Sequence, residues 1–479
     1  MPTLHRFNLT ILLLLSVIGT ISGQWLETTI PVGTWPCALA WDSTDNKVYC
    51  ANQGSNDVTV IDGVTNGVIK TMPVDSYPVA LIWNQTNNKV YCANQLGDNI
   101  SVIDCGVDSV IKTIPVGHWP IGLLWNSINN KVYCANISSG TITVIDGAAD
   151  SIITTIPTNC SQALIWNSFN NKVYCSDWGS AGQVTVIDGV TDSVITTISA
   201  GPWIKALVWN SINNKVYCAN HFNSTVTVVD CVTDSVIKTF WVGCWTFPSA
   251  LAWNATNNKV YCGNYNDLKL GRYSDTLTVI DGEADTVITI IQVGSWPYAL
   301  LWNSINNKVY CANAISCNVS VIKGATNELI TTIPVGSNPR AFSWNTIQNR
   351  TYVANISSNS VSVIRDVTGI EEENKTQNWK IASPKLEVYP NPFNSKTTIK
   401  SEIRDPKSET TPKFQTSLKI YDAIGRLVKS FSLTTCYSLH FTVVWHGTDD
   451  FGRNLPPGVY FCRLGIDKTT VTTKIIKLE

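Results

Sequence analysis

One fifteen-residue stretch, Ala38-Leu39-Ala40-Trp41 through Asp45-Asn46-Lys47-Val48-Tyr49-Cys50-Ala51-Asn52, recurs along most of this chain. Its Trp returns at Trp83, Trp125, Trp166, Trp209, Trp253, Trp302 and Trp344, at spacings of 42, 42, 41, 43, 44, 49 and 42 residues, which makes eight copies of one unit. A period of this size filled with short strands is the signature of a β-propeller, in which no unit buries both its faces alone. Four strands are expected in the first unit: Ala38–Trp41 (A), Lys47–Asn52 (B), Asp57–Asp62 (C) and Gly67–Pro73 (D). β-Branched residues fill them, Asn, Asp and Gly mark the turns, and no helical periodicity intervenes. The expected class is all-β.

Strand counting suggests how the ring closes. The eighth unit offers Ala341–Trp344, Arg350–Asn355 and Ser360–Arg365 and then leaves the pattern without a strand D. Leu26–Val32, at the other end, is a strand D with no unit before it. The N-terminal strand is expected to complete the last blade and remove the free edge, giving an eight-bladed β-propeller over residues 24–369.

Residues 1–23 have the form of a secretory signal peptide: His5 and Arg6, the apolar run Ile11–Ile18, then small residues to Ser22-Gly23. No later stretch is long and apolar enough for a membrane helix. With 14% charged residues and a net charge of −1 there is no basic field for nucleic acid. Fifteen Cys in an exported chain ordinarily mean disulfides. Here Cys50, Cys92, Cys134, Cys175, Cys218, Cys262 and Cys311 share one register in successive units. Equivalent points on stacked sheets lie ~10 Å apart, beyond the ~7 Å limit for a bridge, so these thiols are expected to be small buried fillers. Cys311 with Cys317 and Cys436 with Cys462 are the candidate bridges.

The units resemble the YVTN family of β-propeller repeats. The motif is clearest as Thr351-Tyr352-Val353-Ala354-Asn355, and the Ile-Pro-Val-Gly and Val-Ile-Asp-Gly links also fit, over residues 25 to about 369. The Cys in Val-Tyr-Cys-Ala-Asn and the count of eight, where seven is usual, depart from the family. The resemblance implies a fold and hardly any function.

After Gly369 comes a polar linker, residues 370–384, opening on Glu371-Glu372-Glu373. Residues 385–479 carry Tyr389-Pro390-Asn391-Pro392-Phe393-Asn394, Leu418–Arg426, Trp445–Arg453 and Pro457-Gly458-Val459-Tyr460-Phe461, with Lys407–Thr416 expected as a disordered loop. This tail resembles the C-terminal sorting domain of the bacterial type IX secretion system, an immunoglobulin-like β-sandwich akin to a domain of the hook-assembly protein. The resemblance implies a Gram-negative protein delivered by that machinery to the cell surface or medium.

Alternating strand direction puts the A–B and C–D turns on one face and the B–C and D–A connections on the other. The second face carries an aromatic six positions before the unit Trp, as Trp35, Tyr77, Trp119, Trp203, Phe247 and Trp296; Cys160 and Asn338 break the series. Two longer B–C loops join it, Asp177-Trp178-Gly179-Ser180 and Tyr265–Asp275 with Tyr265 and Tyr273. The aromatics either cap grooves between units or form a partly exposed ring, beside the Asn that ends each strand B, for stacking on a sugar or gripping a peptide. The first face carries one cation per unit (Lys47 to Arg350) and Asp62, Asp104, Asp146, Asp188, Asp230 and Asp281, all expected as solvated hairpin ends. Only His118 and His221 occur in the repeats, and no metal-ligand spacing, nucleophile motif or cofactor fingerprint is present. The expectation is therefore a non-catalytic binding scaffold, with no cofactor or metal, for an extracellular glycan, peptide or protein. A lyase- or lactonase-type enzyme with His221 as its one candidate, and a passive surface layer, are the alternatives.

Overall fold

A computed structural model of the chain describes residues 23–158, 162–243, 246–267, 272–366, 385–402, 416–423, 425–431, 441–450, 452–466 and 469–478, with backbone alone at 265–267, 272–274, 385, 401–402, 416–417, 441, 465–466 and 469–470. The expected signal peptide, the linker, Cys160, Cys436 and nearly all of the Lys407–Thr416 segment lie outside them. The chain divides into two compact units, Met1–Glu372 and Glu373–Glu479.

The described part of the first unit is all-β, with two single-turn 3-10 segments, and forms eight four-stranded antiparallel sheets of the propeller type. Seven are built from consecutive strands, the first from Pro36–Asp42, Lys47–Asn52, Asp57–Asp62 and Val68–Pro73. In the last sheet Pro339–Asn345, Arg350–Asn355 and Ser360–Asp366 are joined by Gln24–Pro31, which runs antiparallel to Ser360–Asp366. The first strands of neighbouring sheets touch one another, including those of the last and first sheets. Fourth strands are mostly exposed, as Val68–Pro73 shows.

The repeat residues explain how sheet meets sheet. Tyr49, Val58 and Val60 of the first sheet pack on Val90, Cys92 and Ile103 of the second. Tyr352, Val361 and Val363 of the last sheet, with Ile30, pack on Val48, Cys50 and Ile61 of the first. A large Tyr from one sheet thus shares its cluster with a small Cys from the next, a complementary fill of the interface. Cys50, Cys92, Cys134, Cys218, Cys262 and Cys311 are buried and free, as a filler role requires. Cys175 departs from that expectation, being disulfide-bonded, to a partner outside the described residues. The two candidate bridges are corrected: Cys311, Cys317 and Cys462 are all free.

The unit Trp is explained by a polar girdle at the A–B turns. Trp41 Nε1 donates to Asn46 Oδ1 at 3.3 Å, and Asn46 adopts a left-handed φ of 53° at the tight turn. The same Oδ1 accepts Asn345 Nδ2 of the last sheet at 2.8 Å. Asn84 with Asn130 and Asn126 with Asn171 repeat the link between other neighbours, both at 2.8 Å.

In the second unit Lys385–Tyr389, Thr397–Glu402 and Phe441–Trp445 form one sheet and Thr416–Asp422, Leu427–Phe431, Gly458–Ile466 and Thr469–Lys477 another. Ile399 and Trp445 of the first share a core with Leu418, Ile420, Cys462 and Ile475 of the second.

Candidate functional site

The aromatic of each D–A connection is set by its backbone. Trp35, Tyr77, Trp119, Trp203 and Trp296 all adopt left-handed φ, between 55° and 66°. Bulky residues avoid this region at a cost of about 1–2 kcal/mol, so something must hold them. Trp35 N donates to Asn359 Oδ1 of the preceding sheet at 3.0 Å, and Trp35 O accepts the N–H of Gln53, just past strand B, at 3.0 Å. Tyr77 is held by Asn56 and Gln95, and Trp119 by Asp98 and Ile137. The connection is a strap between sheets, and its side chain is free to be chosen.

The uniform ring does not form. Trp35 and Trp119 stand exposed, at 51% and 47%, and Tyr77 is half-buried. Trp296 is half-buried beside Arg340, whose guanidinium carbon lies 6.0 Å from its ring. Phe247 is buried and is not among the left-handed residues. The side chains of Tyr265 and Tyr273 lie outside the described residues. Their loop is corrected in form: Lys259–Asp267 and Arg272–Asp281 extend the B–C hairpin as paired strand, with Asn266 opposite Tyr273.

The residues that do meet are those of the fourth to sixth sheets. Trp178 packs edge-on to Trp203 with centroids 5.6 Å apart, and lies 5.4 Å from His221 and 5.9 Å from Phe222. Phe222 contacts Trp203 at 5.4 Å and Phe247 at 5.2 Å, and His221 reaches Phe247 at 4.9 Å. The longer loop causes this, because Gly179 O accepts the Trp203 N–H at 2.9 Å and so fixes the neighbouring Trp178 against it. On the next sheet a 3-10 turn, His221–Asn223, presents Phe222 at 49% exposure. Phe222 was not among the expected site residues. Its signal was present in the sequence: His221-Phe222 occupies the register of Gln53-Gly54 in the first sheet.

His221 is neutral at ordinary pH. Burial among aromatics lowers its pKa to about 4, with the Lys205 charge adding to the effect and a bond to the Pro248 carbonyl opposing it. Its Nδ1 lies 3.2 Å from Pro248 O, so that nitrogen carries the proton. Lys205 Nζ sits 5.2 Å above the Trp178 ring, within cation–π range. Among the described residues no group of three or more His, Cys, Asp or Glu is placed to hold a metal ion.

The Asn that end strand B are internal. Asn52 Nδ2 donates to Asp57 Oδ1 at 2.6 Å and Thr59 Oγ1 at 2.9 Å, and Asn94 and Asn136 repeat the pattern. Their amides tie strand B to strand C and do not face a ligand.

The opposite face also differs from its expectation. Lys47 and its equivalents are not solvated hairpin ends. Lys47 pairs with Asp108 of the next sheet at 2.8 Å, Lys89 with Asp150 at 2.5 Å, Lys131 with Asp192 at 2.7 Å and Lys308 with Asp366 at 3.1 Å. Asp62 and its equivalents do cap their own turns, Oδ1 of Asp62 accepting the N–H of Val64 and Thr65. This face is tied up in holding sheets together, which leaves the aromatic face as the candidate surface.

In the second unit a cavity of about 550 Å³ is lined by apolar residues, among them Leu427, Leu455 and Val459, and edged by two alike turns. In these Asp422 binds Arg426 Nε and Asp449 binds Arg453 Nε, each at 2.7 Å.

Residues 387–478 match the family described as the secretion system C-terminal sorting domain. The tail is thus a type IX secretion sorting domain, which implies interaction with that secretion system, and the protein is secreted or displayed at the cell surface. Among solved structures, the crystal structure of Saccharomyces cerevisiae Sqt1 is similar at a TM-score of 0.59 and 11% identity, over 72% of this chain and 98% of that one. At that identity the likeness concerns fold alone, and it fits a propeller. No curated protein matches the chain.

Proposed function

We propose that the chain is an exported, eight-bladed β-propeller of YVTN type, closed by its N-terminal strand, that acts as a non-catalytic binding scaffold through its aromatic face. Closure is supported by the pairing of Gln24–Pro31 with Ser360–Asp366 and by the last-to-first packing around Tyr352 and Val48. The binding reading rests on one observation. Trp178, Trp203, His221, Phe222 and Phe247 form a continuous cluster where the repeat is broken, and it ends in an exposed Phe222. An exposed aromatic group on a rigid scaffold suits stacking on a sugar or holding a peptide or protein loop. A neutral, buried His221 bonded to a backbone carbonyl supports packing over acid–base work.

The test is a screen of the purified chain on a glycan array and against soluble cell-wall fragments and extracellular protein fractions. A variant carrying Trp178→Ala and Phe222→Ala is screened beside it. The expected result is binding that the double variant loses while keeping its β-sheet circular dichroism. Binding that the variant retains would move the site elsewhere. Turnover of a bound sugar or lactone would favour the enzyme, and no binding by folded protein would favour a structural surface layer.

A further inference from the structure

The aromatic face carries a pair of cations that the repeat does not call for. In seven sheets the register of the first strand against the second slips by one residue near its start, as between Pro36 and Ala38, which marks a bulged residue in between. Bulges re-aim side chains. In the fifth sheet the bulged residue is Lys205 and in the last it is Arg340, whereas the corresponding positions elsewhere are uncharged: Cys37, Val79, Ile121, Gln162, Ser249 and Tyr298. One step further along, each of these seven first strands has Ala or Gly, as at Ala38 and Gly122. The two cations therefore stand at the start of the innermost strands, beside small residues, on the side where the aromatic straps cross.

Both are held on aromatic rings. Lys205 Nζ lies 5.2 Å over Trp178, and the Arg340 guanidinium lies 4.4 Å from the Tyr298 ring and 6.0 Å from Trp296. Arg340 Nε donates to Asn338 Oδ1 at 3.0 Å, a contact that fixes the plane of the guanidinium. Its two terminal nitrogens and the Lys205 ammonium make no hydrogen bond or ion pair with any described residue. This contrasts with Lys47, Lys89, Lys131 and Lys308 on the opposite face, each paired with a carboxylate. Both cations are half-buried. Half-buried charges with idle donors beside aromatic rings favour an anion that brings an apolar face with it.

We infer that the aromatic face binds an acidic polysaccharide, with Lys205 and Arg340 each taking one carboxylate and the adjoining Trp178 and Tyr298–Trp296 rings packing on the sugar C–H faces. This deepens the binding reading above and rests on it. The two positions are three sheets apart, so one small anion does not serve both. A polymer with a carboxylate on each sugar presents repeated charges along one chain, and occupying the second position is then intramolecular. A sugar is favoured over an acidic peptide because each cation comes with a flat ring, the surface a pyranose stacks on.

The experiment is calorimetric titration of the purified chain with hexagalacturonate and with its carboxyl-reduced counterpart, hexagalactose. Variants are Lys205→Gln, Arg340→Gln and both together, with Lys70→Gln/Lys112→Gln on outer strands as a charge-matched control. The expected result is binding of the acidic sugar that each single substitution weakens about tenfold and the pair about a hundredfold, a loss equivalent to one charged hydrogen bond per site. The control binds as wild type, and affinity falls with added salt. Equal affinity for the neutral sugar, unchanged in the double variant, overturns the inference and leaves the aromatic-face reading standing. Binding of polyglutamate in place of the acidic sugar overturns the glycan class while keeping the face. No binding of the acidic sugar overturns the inference, and whether the broader reading falls with it is decided by the array screen.

Discussion

Lys47 of the first sheet and Asp108 of the second are joined at 2.8 Å, across a separation of 61 residues in sequence. Tyr49, two residues along the same strand, donates its hydroxyl to the other oxygen of that carboxylate, also at 2.8 Å. The Tyr–Asp–Lys group bridges the sheets and repeats as Tyr91–Asp150–Lys89 and Tyr133–Asp192–Lys131. Burial and the adjoining carboxylate drive each of these tyrosines well above its ordinary pKa, so the hydroxyl is a permanent donor.

One junction tests what the carboxylate is for. Lys259 and Tyr261 meet Asn327 in place of Asp, with Lys259 Nζ 3.0 Å from Oδ1. Desolvation without that ion pair lowers the Lys259 pKa, the nearby Asp281 only partly offsetting it. Asp108→Ala should therefore cost roughly 3 kcal/mol by stranding Lys47 and Tyr49. Asp108→Asn, which copies the natural exception, should cost under about 1.5 kcal/mol, and Asn327→Asp should stabilise. Shifts in the urea midpoint check the order. Losses near zero for both Ala and Asn at position 108 would mean the bridge contributes nothing, and equal large losses would mean that Asn cannot stand in for the carboxylate.

The N-terminal strand should matter far beyond its length. In the bulge where the other sheets place an Ile, such as Ile69, it has Glu27, which binds Arg350 through two oxygens. Arg350 in turn donates to the carbonyls of Gly63 and Val64 in the first sheet at 2.7 and 2.8 Å. Glu27→Gln leaves a nearly buried guanidinium half-paired and should cost roughly 2–4 kcal/mol. Deleting residues 24–31 should expose the edge of Ser360–Asp366 and promote aggregation. Light scattering and melting curves report both, and a deletion variant that stays monodisperse with an unchanged melting temperature would show the strand to be dispensable.

What could be read from the sequence followed its period. The strand boundaries of Lys47–Asn52 and Asp57–Asp62 came out as expected, because alternation and turn residues are local signals. Lys47 was misread because its partner, Asp108, is one sheet away and carries no local mark. The aromatic ring failed for a related reason: spacing fixed Trp35 and Trp203 to one register, but only a three-dimensional neighbour, Trp178 with Phe222, decides which becomes part of a cluster. Cys175 shows the limit of register arguments. Its position excludes its equivalents as partners and says nothing about cysteines outside the register.

Thiol reactivity should separate the cysteines sharply. Cys50, Cys92, Cys134, Cys218, Cys262 and Cys311 are fully buried, and burial raises each thiol well above its ordinary value. Cys37 is half-buried and pushed up to about 12, mainly by desolvation. Cys317 is half-buried in a turn, with its sulfur near the Ala314 and Ile315 carbonyls. Brief iodoacetamide treatment of native protein at pH 8 should therefore label Cys317 before any other described thiol, since burial suppresses the nucleophilic thiolate of the others. Peptide mapping reads this directly, and prompt labelling of the buried set would mean the sheets separate on that timescale.

His221 should give the propeller a window of acid sensitivity of its own. Its folded pKa of about 4 lies below the ordinary 6.5, with burial as the main cause. Above pH 6.5 it is neutral in both states and contributes no pH dependence. As the pH falls from 6.5 to 4 the unfolded chain takes up the proton first, so stability is lost across that interval and stays lost below it. The loss should reach roughly 1–3 kcal/mol at pH 4. Asp62 and Asp188 act elsewhere: the backbone N–H groups of Thr65 and Thr191 hold them below the usual carboxylate range, so their contribution disappears only under about pH 4. His221→Phe keeps an aromatic ring against Trp178 and Phe247 and removes the proton. Melting temperatures of that variant should be flatter than wild type between pH 6.5 and 4 and parallel to it below. Identical curves in both proteins would mean that His221 is already protonated in the folded state, and that the aromatic cluster is more open to water than its packing implies.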